Sequence, residues 1–149
     1  MATSADYVST FAQVLLKDCN LRVGKGVVMC KKKNGYINAT ALCNAGDREY
    51  RIWKDRKHVK GDPETKTRGF IEELSLAIGI PIARLAVYVN HGPADRATWV
   101  HPCVAIDIAY WLSPEFAVKV TSWVINILVF GSVKRGEEAT DNKLRDEII

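Results

Sequence analysis

The chain has no long apolar run, no paired cysteines, no internal repeat and no low-complexity tract, and each lack removes a class of protein. Its most apolar stretch, Trp123 to Phe130, is broken by Asn126 and falls far short of the roughly 18 consecutive apolar residues that span a bilayer. No membrane partner is therefore expected. Met1 to Asp18 carries no basic leader and only the brief run Val14-Leu15-Leu16, too little for a signal peptide, so an intracellular protein is expected. Cys19, Cys30, Cys43 and Cys103 show no C-x-x-C spacing, which indicates neither a zinc finger nor a redox motif; reduced, mostly buried thiols are expected. A zinc site would require Cys30, Cys43 and His58 to converge, and scattered residues of these types are ordinarily core and surface residues. The expectation is a protein without metal or cofactor.

What is present is enough for one ordinary domain: 149 residues, of which 48% are hydrophobic. Net charge is only +4, but it is unevenly divided. Arg22 to Arg68 holds thirteen Lys and Arg against five Asp and Glu, an excess of eight positive charges; the rest holds eight against twelve, a deficit of four. A basic segment on an otherwise acidic protein fits a polyanion partner, and it equally fits a lysine-rich solvated surface.

Tyr7, Phe11, Val14 and Leu15 recur at helical spacing, which predicts a short amphipathic helix ahead of the domain. Val27 to Cys30, Asn34-Gly35 and Tyr36-Ile37 read as strand, two-residue turn and strand, because Asn-Gly tolerates the positive φ angles of a type I′ turn. Asn38 suits the N-cap of a short helix through Cys43 that Gly46 ends. Asp47 suits the cap of a second helix over about 48–60, with Arg51, Lys54 and His58 on one stripe, Arg48 and Asp55 beside it, and Ile52, Trp53 and Val59 turned inward. Gly61-Asp62-Pro63 then breaks the chain. Phe70, Ile71, Leu74, Ala77 and Ile78 predict a structural helix that stops at Gly79. A second hairpin, resembling a wing, is predicted from Leu85 to Val89 and from Ala97 to Val100. Pro102 opens a helix to Leu112, and Ser113-Pro114 opens a last one ending near Gly131, with Glu115, Lys119, Ser122 and Asn126 as its narrow polar stripe.

Two segments carry a resemblance. Gly35-Tyr36-Ile37-Asn38-Ala39-Thr40-Ala41-Leu42-Cys43 closely resembles the opening signature of KilA-N domains, carried by large DNA viruses and phages. Thr98-Trp99-Val100-His101-Pro102, followed by Trp111-Leu112-Ser113-Pro114-Glu115-Phe116, resembles the closing one. The likeness covers roughly residues 24 to 131. This family is related to the DNA-binding domain of the fungal APSES regulators, so the resemblance implies an α+β fold. Its parts are a helix-turn-helix, a small antiparallel sheet and a β-hairpin wing, closed by two C-terminal helices. Residues 1–23 would be a helical N-terminal extension and 132–149 a polar tail or linker. The sequence departs from the family where Ala97 stands in place of a glycine, and where the tip Asn90 to Arg96 carries Asp95 instead of a glycine-rich run.

The resemblance implies binding of double-stranded DNA through the second helix and the wing. Arg51 and Lys54 lead the contact candidates, with Arg48, Lys57 and His58, since Lys and Arg neutralise phosphates and Arg can pair with a guanine edge. Lys31, Lys32 and Lys33 at the hairpin either touch phosphates or protect a strand edge, and Arg96 is the candidate of the wing. Asn38, Thr40, Trp99 and His101 are read as caps, turn bonds and core; Asp107 and Glu115 have no nucleophile at motif spacing and the same standing. No enzyme is expected, because the RING finger that some poxviral relatives carry needs a cysteine and histidine ladder this chain lacks. RNA or single-stranded nucleic acid is the alternative partner, disfavoured by few exposed aromatics, and Pro114 to Phe130 is a candidate homodimer face. If the source is viral, the compartment is the host cytoplasm or nucleus.

Overall fold

A computed structural model describes residues 20–31, 34–90, 92 and 96–126. The predicted N-terminal helix, Lys32, Lys33, most of the wing tip and everything after Asn126 lie outside the described residues. Within them the chain is α+β, with five strands and seven helices. Strands β1 (Asn20–Val23) and β2 (Gly26–Met29) form an antiparallel pair in the register Asn20↔Met29, and β1 had no strand signal of its own in the sequence. Strand β3 (Ile37–Asn38) joins β4 (Ala86–Val89) and β5 (Ala97–Val100) in a three-stranded antiparallel sheet with β5 central, so a strand of the first predicted hairpin pairs with the second. Val87 faces Trp99 across the β4–β5 pair, which is the predicted second hairpin.

The first hairpin differs from its expectation. Lys31 N donates to Tyr36 O (2.7 Å) and Gly35 N to Lys31 O (2.7 Å), so the closing turn is wider than Asn34-Gly35 alone. Asn34 Oδ1 accepts from Tyr36 N (2.9 Å), and this local side-chain bond competes with the tight ladder that a two-residue turn needs.

Helix α1 (Ala39–Ala45) begins where predicted: Asn38 Oδ1 accepts from Ala41 N (2.9 Å) and Gly46 is the C-cap. Then follow α2 (Tyr50–Lys54), α3 (Lys57–Lys60), α4 (Phe70–Ile78) and α5 (Ile82–Leu85). Of the residues whose spacing predicts α4, Phe70, Ile71 and Leu74 pack against the core, whereas Ala77 and Ile78 are exposed. Helices α6 (Pro102–Leu112) and α7 (Pro114–Asn126) match their proline signals: His101 Nδ1 accepts from Cys103 N (3.0 Å), and Ser113 Oγ from Phe116 N (3.2 Å). Such caps satisfy orphan amides of the first turn.

The core draws from every layer, with Val28, Ile37, Leu42, Trp53, Leu85, Val100, Ile108, Val120 and Trp123 fully enclosed. On α7, Glu115 and Lys119 pair at the surface, but Asn126 is buried and its Nδ2 donates to Ser122 O (2.8 Å). The predicted polar stripe therefore ends before the helix does, and Val118 and Ile125 are the exposed apolar residues.

Candidate nucleic-acid interface

The basic segment folds as two short helices, not as one helix over 48–60. Asp55 closes α2, Arg56 is extended (φ −70°, ψ 145°), and α3 starts afresh at Lys57. The expected cap, Asp47, has φ 59° and pairs with Lys25 (2.8 Å); position Glu49 precedes α2 without any side-chain cap bond. The break has a cause in α6. Asp107 Oδ2 accepts from Trp53 Nε1 (3.0 Å) and its Oδ1 from His58 Nε2 (2.8 Å). Residues five apart on one α-helix point about 140° away from each other, so only a broken helix lets Trp53 and His58 meet one carboxylate. His58 also stacks on Phe70, ring centroids 5.9 Å apart.

One turn further along α6, Trp111 meets two guanidinium groups, Arg48 at 4.5 Å and Arg56 at 5.8 Å from its ring centroid. Flat cations stack favourably on an indole face. Asp107 and Trp111 are four residues apart and share a face of α6, so that face holds the whole α2–α3 unit. The packing below is spare: α2 buries Trp53 and α3 buries Val59. Ile52, expected to turn inward, is 52% exposed: on one continuous helix it would share a face with Val59, and the break at Asp55-Arg56 separates the two.

The single cationic stripe is thus divided. Arg51 is exposed and held by Glu49 (2.9 Å), whose carboxylate raises the guanidinium pKa further, so its charge is permanent. Lys54 and Lys57 are exposed, Lys57 lying 3.7 Å from Asp62. His58 is turned toward Asp107 and not along the stripe with Arg51 and Lys54, while Arg48 sits over the ring of Trp111. Away from this unit, Lys31 Nζ sits 4.7 Å over the ring of Trp99, and Arg96 Nε donates to Asn90 Oδ1 (2.8 Å) at the neck of the β4–β5 hairpin. Arg48, Arg51, Lys54, Lys57 and His58 are brought together; Lys31 and Arg96 sit on the sheet and wing.

Sequence reasoning missed Arg56, Asp107 and Trp111 as parts of this surface. A signal existed, since Asp107 is the one charged residue of α6, and a carboxylate in an apolar helix must find donors. The family-like residues act as scaffold: Thr40 Oγ1 accepts from Thr98 N (3.1 Å), His101 caps α6, and Trp99 is buried.

The cysteines are a partial correction. Cys43 and Cys103 are free, and burial pushes the Cys43 thiol up to about 12, but Cys30 is disulfide-bonded. Pairing depends on Cβ proximity in the fold, which spacing along the chain does not encode. Cys30, Cys43 and His58 do not converge, and no group of three metal-ligating side chains occurs among the described residues. No helix among them is long and apolar enough to cross a membrane. Two tyrosines stand outside the core, Tyr88 at 63% and Tyr110 at 67% exposed, more aromatic surface than the sequence suggests.

Comparison with known proteins fits this architecture. The KilA-N domain model matches residues 21–129. Among curated relatives, the KilA-N domain-containing proteins R878, L4 and L33 of Acanthamoeba polyphaga mimivirus are 33%, 31% and 30% identical over 72%, 78% and 65% of this chain. The chain spans only 31%, 24% and 39% of their respective lengths. No solved structure gives a significant match. With the family model covering most of the chain, and the opening and closing motifs forming its caps and core, the chain belongs to the KilA-N domain family.

Proposed function

We propose that this domain binds double-stranded DNA, with the α2–α3 unit as its main contact surface and the β4–β5 hairpin as a wing beside it. The family is a nucleic-acid-binding type generally associated with DNA in large DNA viruses, and not an enzyme class. The observation that carries the reading is the exposure of Arg51, Lys54 and Lys57 on a short two-helix unit that buries only Trp53 and Val59. Cations presented this way cost little to bring against phosphates and release counterions on contact. In this reading α1, the turn at Gly46 and α2–α3 act as the helix-turn-helix of an APSES-related, winged-helix-like module. Arg51 and Lys54 face the groove and Arg48 and Lys57 the backbone, Lys31 and Arg96 approach from the sheet and wing, and Lys32 and Lys33 are further phosphate candidates. His58 positions the unit through Asp107 more than it contacts DNA. No catalytic role is proposed, and the site of action would be the host cytoplasm or nucleus of an infected cell.

Exposed Tyr88 and Tyr110 favour a second reading, stacking of unpaired bases from single-stranded DNA or RNA. A titration of labelled duplex, single strand and RNA at two salt concentrations separates the two. Neutralising four to six phosphates predicts that log affinity for duplex falls with log salt at a slope of about −4 to −5. A flat response, or preference for single strands, overturns the duplex reading. A second copy of the chain would dock on the outer side of α6 and α7, where Tyr110 and Val118 border a groove of about 430 Å³. Sedimentation across a concentration series tests this, and a monomer at all concentrations overturns it.

A further inference from the structure

Between α3 and α4 the chain forms a closed loop outside the contact surface just described. Asp62 and Thr67 face each other as an isolated antiparallel bridge, with Asp62 N donating to Thr67 O (2.9 Å) and Thr67 N to Asp62 O (3.1 Å). Inside it, Asp62 Oδ1 accepts from Glu64 N (3.0 Å), and the Thr65 and Thr67 hydroxyls lie 2.8 Å apart. Two glycines seal the neck. Gly61 has φ +89°, and a Cβ on Gly69 would stand 2.2 Å from Val59 O and 2.3 Å from Gly61 N. No side chain fits there, so the neck of the loop packs directly against the end of α3. Lys66 sits in the loop at φ 57°, a conformation uncommon outside glycine and one that surrounding structure must impose.

The loop and the ends of its flanking helices enclose an open cup of about 380 Å³, and its charges do not cancel. Two carboxylates line it, and each has a cation: Asp62 lies 3.7 Å from Lys57, and Glu72 lies 3.8 Å from Arg68. Lys60 and Lys66 also line it and make no ion pair among the described residues. Lys60 and Lys66 thus line a polar cup at the end of the cationic α2–α3 unit with no carboxylate of their own.

We propose that the Asp62–Thr67 loop is a phosphodiester clamp, in which Lys60 and Lys66 take a backbone phosphate of the duplex flanking the groove engaged by α2–α3. The clamp rests on the duplex-binding reading and names a contact that reading lacks. A lysine ammonium is a point charge without the paired donors that read a guanine edge, and the cup's arginine is committed to Glu72 and Glu73. The clamp therefore adds affinity and sets register without adding sequence preference.

The test compares the parent chain with a Lys60→Gln, Lys66→Asn double variant, asparagine being a residue that tolerates positive φ. Both are titrated with two labelled duplexes of unrelated sequence between about 50 and 200 mM salt. The variant should melt like the parent and lose about one from the magnitude of the salt slope, as one phosphate contact requires, so that its affinity deficit shrinks roughly threefold across that range. The deficit should be the same on both sequences. An unaltered slope beside a parent that binds duplex well overturns the clamp alone, as does a deficit confined to one sequence. A parent that binds no duplex overturns the DNA reading and the clamp together. An inorganic-phosphate arm at matched ionic strength distinguishes a free-anion site: the parent's affinity should drop no more than in chloride. Competition by phosphate that vanishes in the variant would reassign the cup to free phosphate.

Discussion

Helices α6–α7 and helices α2–α3 are built on opposite terms. The first pair encloses Val104, Ala105, Ile108, Ala109, Phe116, Val120, Trp123 and Val124 and holds itself by burial. The second pair encloses two side chains, Trp53 and Val59, and is held from outside by Asp107 and Trp111 of α6. The second pair keeps its cations in water, and so has little apolar area with which to fix its own position. It borrows that position from a neighbour, which makes the placement of Arg51 and Lys54 depend on one carboxylate and one indole they do not touch.

Emptying the self-supporting half should cost most. Trp123→Ala removes a fully buried indole and should lower stability by about 3–5 kcal/mol in chemical denaturation; an unchanged unfolding midpoint would mean that α7 is not core. Next comes the borrowed contact. Asp107→Ala strips the partner from Trp53 Nε1 and His58 Nε2 and should cost about 2 kcal/mol. Its signature is regional: amide exchange should accelerate in 50–60 well before it does in 102–126, and uniform acceleration would show that the two regions are not separable. Ser113→Ala, which removes the α7 cap, should cost about 1 kcal/mol, measurable as a lower melting temperature.

A smaller effect follows from pH. Burial lowers the pKa of His101 below its ordinary 6.5, and its Nδ1 must stay unprotonated to accept from Cys103 N. A histidine depressed in the folded state contributes stability that is present above pH 6.5 and is lost as pH falls toward the folded pKa. Melting temperature should therefore decline below about pH 6.5, and a His101→Asn variant, which keeps a capping acceptor, should decline less. An equal decline in both would remove His101 from the account.

The two regions also differ in how far their sequences could be read. For α1, α6 and α7 the signals are local: Asn38, His101-Pro102 and Ser113-Pro114 fix the starts within the residues that form them. The break at Asp55-Arg56 is not local, because it depends on a carboxylate 49 residues from His58 along the chain. A stripe drawn on one continuous helix therefore misplaced His58 and Ile52. Strand β1 escaped notice because its pairing with β2 carries the pattern, not its own four residues. Of the proposed contact surface, the basic segment is visible in the sequence, while the way α6 holds its side chains is not.

The smallest stability effect and the largest binding effect should fall on the same residues. Arg51→Ala, Lys54→Ala in one chain removes two exposed cations, and its melting curve should overlay that of the parent. Duplex affinity, measured on the same preparation, should drop, with the salt slope smaller in magnitude by about two if both cations meet phosphates. Trp99→Ala serves as the contrast: its melting temperature should fall, and any binding defect should track the loss of folded protein. Full duplex affinity in the folded Arg51→Ala, Lys54→Ala variant would contradict the account, and would move the contact surface to Lys31 through Lys33 and Arg96.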